Sequence, residues 1–265
     1  MITRHLLADS LVMARRNLEH VRQIPEKLLD VTVQPVMFVL LFAYVFGGVI
    51  AIPDGSYREY LIGGVVVQSL SFGIMGPATA IASDLGEGVV DRFRTLPMSR
   101  ASYLCGHVLA ELGASAIGVT VLLASGLIVG WGIHSDLLHA LAGLGLLLLF
   151  ALAIVWTGTW LGLMVRSPDS AQGIVFPIVF PMTFLASTFV PISGLSPVLA
   201  AIASWNPVST LAAAVRELFG NPTGMPANPA WPLRHAVLIA CGWAVLLLAI
   251  SVPLAIRRFR VRTTG

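Results

Sequence analysis

Six long stretches without a single aspartate, glutamate, lysine or arginine, or with only one, constrain this chain more than any motif does. They run from Val31 to Pro53, Tyr60 to Ser83, Ala101 to Ser135 (interrupted only by Glu111), Leu137 to Val165, Ser170 to Val215, and His235 to Ile256. About 20 apolar residues suffice for one helical crossing of a bilayer. Across the whole chain 57% of residues are hydrophobic and 11% are charged, against about 25% charged in an ordinary soluble domain. With 265 residues and a mean hydropathy of +0.87, a water-soluble fold has too little interior to hide that apolar surface. A soluble enzyme, a disordered chain and a coiled coil are excluded on this ground. An all-α integral membrane protein remains.

The spacing predicts spans over 31–50, 60–82, 104–131, 137–164, 171–192 and 234–256. The second half of the longest stretch is cut by Pro191, Pro197 and Pro207, and Trp205-Asn206-Pro207 reads as a turn. Its pieces are too short to cross, so residues 195–220 are expected to form a re-entrant helical hairpin, surrounded by protein or a hydrated cavity. Pro222, Pro226, Pro229 and Pro232 make the segment after it irregular.

Six crossings put both termini on one side, together with thirteen of the sixteen basic residues; only Arg58, Arg216 and Arg234 fall on the other. Basic residues are retained in the cytoplasm. The expectation is therefore a multi-pass protein of a bacterial cell (inner or plasma) membrane, both termini cytoplasmic, with 257–265 as a short basic tail. The Arg257–Arg262 cluster is a topology anchor, not a nucleic-acid site. Residues 1–30 repeat Leu7, Leu11, Leu18, Val21 and Leu28 opposite Arg15, Arg16, Glu19, Arg22, Glu26 and Lys27. This predicts an amphipathic helix on the cytoplasmic surface, bent at Pro25.

Catalytic signatures are missing. The only lysine, Lys27, follows Glu26, so no phosphate-binding G-x-x-x-x-G-K-[ST] loop exists. The chain is not expected to be an enzyme or to hydrolyse ATP itself. His107 and Glu111 share a face of the third span, but no third or fourth ligand accompanies them, and no metal site is expected. A carboxylate within a span is a functional candidate in its own right. Gly126–Gly130 and Gly158–Gly162 have the spacing that admits close helix contact. Gln34, Gln68, Phe72, Met75, Glu111, Phe180 and Phe184 are the candidate substrate-pathway residues, because aromatic and methionine surfaces suit variable apolar ligands.

The segment 84–103 differs from the rest. Asp84, Glu87, Asp91, Arg92, Arg94 and Arg100 crowd charges of both signs around the apolar Val89, Val90, Phe93 and Leu96. Such a short amphipathic cytoplasmic helix suits docking of a soluble partner, mixed charges setting register and the aromatic anchoring the contact.

Tyr60 to Arg100, with Val89-Val90-Asp91-Arg92-Phe93-Arg94, Leu96-Pro97 and the closing Arg100, resembles the permease subunits of ABC-2 exporters, particularly the daunorubicin-resistance type. Gln34-Pro35, Phe42 to Gly48, and Asn206-Pro207 followed by Arg216 are similar too. The resemblance covers nearly the whole chain, which would then be one ABC-2 transmembrane domain. It implies a half-transporter paired with a second permease, identical or related, and with two separate ATPase subunits that carry the ATP and Mg. By the same resemblance, 84–103 is the coupling helix, with Arg15, Arg16 and Arg22 on the N-terminal helix also at the ATPase. The implied function is export of a hydrophobic or amphipathic drug, antibiotic or lipid. The alternative is a self-sufficient secondary transporter or channel using Glu111 and His107.

Overall fold

The computed structural model describes residues 25–47, 50, 52, 55–87, 100–226 and 228–264, and among them it is helical, with no strand. The ten α-helices among the described residues are α1 (Pro25–Val45), α2 (Tyr57–Phe72), α3 (Met75–Gly86), α4 (Arg100–Ile128), α5 (Leu137–Gly162), α6 (Pro168–Phe184), α7 (Pro197–Trp205), α8 (Pro207–Phe219), the single turn α9 (Trp231–Arg234) and α10 (Ala236–Thr264).

Helix starts follow local chemistry. The Ser56 hydroxyl accepts from the Arg58 N–H at 3.3 Å, opening α2. The Ser167 hydroxyl accepts from the Ser170 N–H at 3.2 Å, opening α6. Asn206 caps α8 by accepting from the Val208 N–H at 2.9 Å. Helices α6, α7 and α8 all carry proline in the first turn, where its missing N–H costs nothing. Gly220 closes α8 in the left-handed region, φ 70°, which glycine enters without steric penalty.

Among the described residues, four helical stretches are long and apolar enough to cross a membrane: Tyr57–Gly86, Tyr103–Ile128, Leu137–Gly162 and Ala236–Val261. The first joins α2 and α3 across a break at Gly73–Ile74. Pro77 explains the break, since it has no N–H to offer the Gly73 carbonyl one turn back. The pair α7–α8 bends by 73° at Asn206. Helix α8 is buried along nearly its whole length and packs against α10, α2 and α5. Helix α7 leaves Val198, Ile202 and Trp205 exposed.

Two features differ from the sequence expectation. Helix α6 stops at Phe184, well short of residue 192, and residues beyond it turn back into the bundle. Its 17 residues rise about 26 Å. On the N-terminal side, residues 25–30 are continuous with the first span in one helix, and the bend expected at Pro25 falls at its junction with residues outside the described ones. Residues 1–24 lie outside the described residues, and the amphipathic helix expected there with them. Residues 88–99 are outside as well, so of the expected coupling helix only its flanks are visible, as the end of α3 and the start of α4.

Close contacts hold the bundle together. A Cβ at Gly158 would stand 2.5 Å from the Ile74 carbonyl oxygen, and one at Gly162 would stand 2.5 Å from that of Ala78. The Gly158–Gly162 pair is thus the place where α5 meets the backbone of α3. The elements also sort by end. At one end the Trp131 Nε1–H donates to Asn221 Oδ1 at 2.8 Å, the His134 N–H to the Phe219 carbonyl at 2.9 Å, and His134 pairs with Glu59 at 2.8 Å. There His139 also hydrogen bonds Asp136 and holds its carboxyl below the ordinary carboxylate range. At the opposite end Ile81, Leu104, Leu163, Ala255 and Phe259 form a small apolar cluster.

Candidate functional site

Arg216 is the largest fully buried side chain, with none of its surface exposed. Helix α8 carries it inward on the face that meets α2. Its Nε donates to the Tyr60 carbonyl at 2.8 Å, Nη1 to the Ser187 carbonyl at 2.9 Å and Nη2 to the Thr188 carbonyl at 3.0 Å. Its guanidinium carbon lies 3.5 Å from the centre of the Tyr60 ring, and the Tyr60 hydroxyl donates to the same Ser187 carbonyl at 2.7 Å. A buried guanidinium is costly unless its donors are used. Here carbonyl dipoles and an aromatic face take the place of a carboxylate.

This clamp joins three separate segments: α8, the first turn of α2, and the turn that follows α6. Two glycines admit it. A Cβ at Gly63 would meet the Arg216 side chain at 2.9 Å, and one at Gly64 would fall 1.9 Å from the Thr188 carbonyl oxygen. The turn is held from its other side as well, because the Ser187 N–H donates to Ser209 Oγ at 3.1 Å and Thr188 Oγ1 to the Thr183 carbonyl at 3.0 Å. Asn206 Nδ2 donates to the Met182 carbonyl at 2.6 Å, tying the α7–α8 bend to α6. These bonds are what ends α6 at Phe184.

A ladder of phenylalanine rings runs beside the clamp. Centroid distances are 6.3 Å from Phe72 to Phe176, 5.2 Å from Phe176 to Phe180, and 4.4 Å from Phe180 to Phe184. The series continues 6.0 Å to Phe189 and 4.4 Å from there to Phe42 on α1. Phe176, Phe180 and Phe184 are each more than two-fifths exposed. The ladder therefore offers an open, polarisable apolar strip along α6.

Of the residues singled out from sequence, Phe72, Phe180 and Phe184 fall on this strip. Met75 opens α3, and Gln68 is buried in α2. Glu111 is half-buried on α4 and faces Gly76 on α3, with His107 buried one turn earlier. Gln34 lies within α1, and its side chain is not among the described ones. Asp84 accepts from the Tyr103 hydroxyl, and Glu87 from Ser83 Oγ at 2.9 Å. Arg100 opens α4. Arg15, Arg16, Arg22, Asp91, Arg92, Phe93 and Arg94 lie outside the described residues. Among those described, no group of three or more histidine, cysteine, aspartate or glutamate side chains converges to hold a metal ion. Sequence reasoning missed Phe42, Phe176 and Phe189, and the role of Arg216. The signal for Arg216 was there, an arginine in an otherwise apolar hairpin, but its acceptors are main-chain atoms.

Apolar helices of spanning length, a bent helical pair whose second helix is buried in the bundle, and a charge sealed inside it define a polytopic helical membrane protein. The ABC-2 type transporter family model matches residues 10–219, and the chain belongs to that family. It is 27% identical over 239 residues to the daunorubicin resistance ABC transporter permease protein DrrB1 of Streptomyces coeruleorubidus, covering 90% of this chain and 81% of the relative. It is 22% identical over 232 residues to the doxorubicin resistance ABC transporter permease protein DrrB of Mycobacterium tuberculosis, covering 84% and 80%. A multi-pass permease of an ABC transporter in a cell membrane, partnered by an ABC ATPase, follows from that membership.

Proposed function

We propose that this chain is the permease half of an exporter that moves hydrophobic or amphipathic compounds outward, two permeases working with two ATPase subunits that bind the ATP and Mg. The family match carries this reading, because one match takes in residues 84–103, the first five predicted spans and the bent hairpin together. In it, α1 and α6 complete a set of six crossings with the four longer stretches. The end bearing Asp84 and Arg257 is cytoplasmic, and the α7–α8 pair re-enters from outside as the external gate.

Residues 84–103 form the coupling helix, contacting the ATPase through Asp84, Glu87, Asp91, Arg92, Phe93, Arg94 and Arg100, with Arg15, Arg16 and Arg22 beside it. Closure of the ATPase dimer pushes on this segment. Two contacts support transmission of the push. Tyr103 hydrogen bonds Asp84 and stacks on Phe259 at 5.7 Å, so α3, α4 and α10 are tied at that end. Their common motion rocks the bundle against the clamped hairpin and opens the route along the phenylalanine strip. A ligand drives such a change only by binding the two states unequally.

The test is to co-express the chain with its ATPase, purify through a tag on the permease alone, and assay hydrolysis. Stoichiometric co-purification, with hydrolysis altered by a hydrophobic drug or lipid, is the expected result. A permease that purifies alone and moves solute in vesicles without ATP overturns it in favour of a secondary transporter.

A further inference from the structure

We infer that the C-terminal half of α10 binds an acidic phospholipid, its phosphate on Arg257 and Arg258 and an acyl chain along Leu246, Ile250 and Leu254. The inference rests on the exporter reading for one point alone, that this end of α10 lies in the cytoplasmic leaflet.

Helix α10 contains the least buried of the four spanning stretches. Leu246, Ile250 and Leu254 are exposed on it, and their spacing of four residues puts them in one row. The row ends between Arg257 and Arg258, both exposed. From Leu246 to Arg257 the helix rises about 16 Å, about half of a hydrocarbon core of about 30 Å. The row is thus as long as one leaflet is deep, apolar along its length and cationic at its end.

The neighbouring helix marks the same level. On α5, Trp156 and Trp160 lie one turn apart, half-buried, against the apolar cluster that contains Ala255 and Phe259. Indole rings favour the depth of the lipid headgroups. Leu163 belongs to that cluster, and the exposed Arg166 follows three residues later, adding positive charge at this end. Arg257 and Arg258 have no hydrogen bond or ion pair among the described residues, whereas Asp84 and Glu87 accept from Tyr103 and Ser83. Two adjacent guanidinium forks match the oxygens of a phosphate, and a basic cluster beside a membrane helix attracts anionic headgroups. A topology anchor needs only its charge. A lipid site needs the apolar row to lead into the arginines, as it does here.

The test uses the full chain, purified from vesicles of equal phosphatidylglycerol and phosphatidylcholine. After repeated detergent exchange, the retained lipid is counted by mass spectrometry. The wild type is expected to prefer phosphatidylglycerol about tenfold. Arg257→Gln with Arg258→Gln brings the ratio near one, while Arg58→Gln, at the other end of the bundle, leaves it unchanged. A wild type that keeps both lipids alike, or a double variant that still prefers phosphatidylglycerol, overturns the inference. So does a double variant that keeps this preference and loses the ATPase on co-purification, which assigns the arginines to the protein partner. If the double variant does not insert, the melting temperature of the delipidated wild type decides. Phosphatidylglycerol is expected to raise it more than phosphatidylcholine does, and an equal rise overturns the inference. Labelling of Arg258→Cys from outside intact cells is the separate arm. It would overturn the exporter topology and leave the lipid preference standing, in the other leaflet.

Discussion

The Arg216 side chain has no charged partner among its hydrogen bonds, and its removal would take a donor from three buried carbonyls at once, leaving that of Ser187 with the Tyr60 hydroxyl alone. A buried polar group left unpaired costs about 1–3 kcal/mol, and the Tyr60, Ser187 and Thr188 carbonyls share a single donor group. Lysine carries the same charge as a point, without the fork that spans three directions. Arg216→Lys is therefore expected to destabilise by about 2–4 kcal/mol and Arg216→Ala by at least as much, read as a lower melting temperature of the detergent-solubilised protein. A Lys variant that melts with the wild type would show the fork to be dispensable. The ring of Tyr60 covers one face of the guanidinium and its hydroxyl shares the Ser187 acceptor, so the two side chains stabilise one arrangement.

Among the elements, the helices that follow composition were legible from the sequence, while those shaped by their neighbours were not. Runs without a charge, or with Glu111 alone, located α4, α5 and α10, and the prolines at 197 and 207 located the bent pair. The break before Pro77 escaped because the run Tyr60–Ser83 is apolar on both sides of it. The early end of α6 escaped because carbonyls drawn to Arg216 and a side chain from Asn206 decide it, and neither can be seen in the residues of α6. The ladder was half legible for the same reason. Phe176, Phe180 and Phe184 lie one helical turn apart on one helix, whereas Phe42 and Phe189 join only through the fold. The glycine pair of α5 was visible as a spacing and gains meaning from its contact with α3. Gly162→Val would force a side chain into the Ala78 carbonyl, and overpacking of this kind costs about 1–3 kcal/mol. The expected outcome is a lower melting temperature together with loss of a cysteine cross-link engineered between α3 and α5.

For the molecule as a whole, the sorting of contacts into two ends makes the sidedness testable. In a background with Cys105 and Cys241 replaced by serine, Arg58→Cys should react with a membrane-impermeant maleimide on intact cells. Arg258→Cys should react only after the membrane is opened. The reverse pattern would invert the topology. Coupling is tested at the same scale. Exchanging charges by Asp91→Arg with Arg92→Asp is expected to leave the permease folded and inserted while ATP hydrolysis no longer drives export. Normal export by that double variant would move the docking surface elsewhere.

The clamp has a consequence for biogenesis. All three carbonyls that receive Arg216 belong to residues made before it, at positions 60, 187 and 188. Chains are synthesised and assembled from the N-terminus onward. When the ribosome delivers the arginine, its docking place has already been translated, so the cation can be sheltered as soon as α8 emerges, before α10 closes the bundle around it.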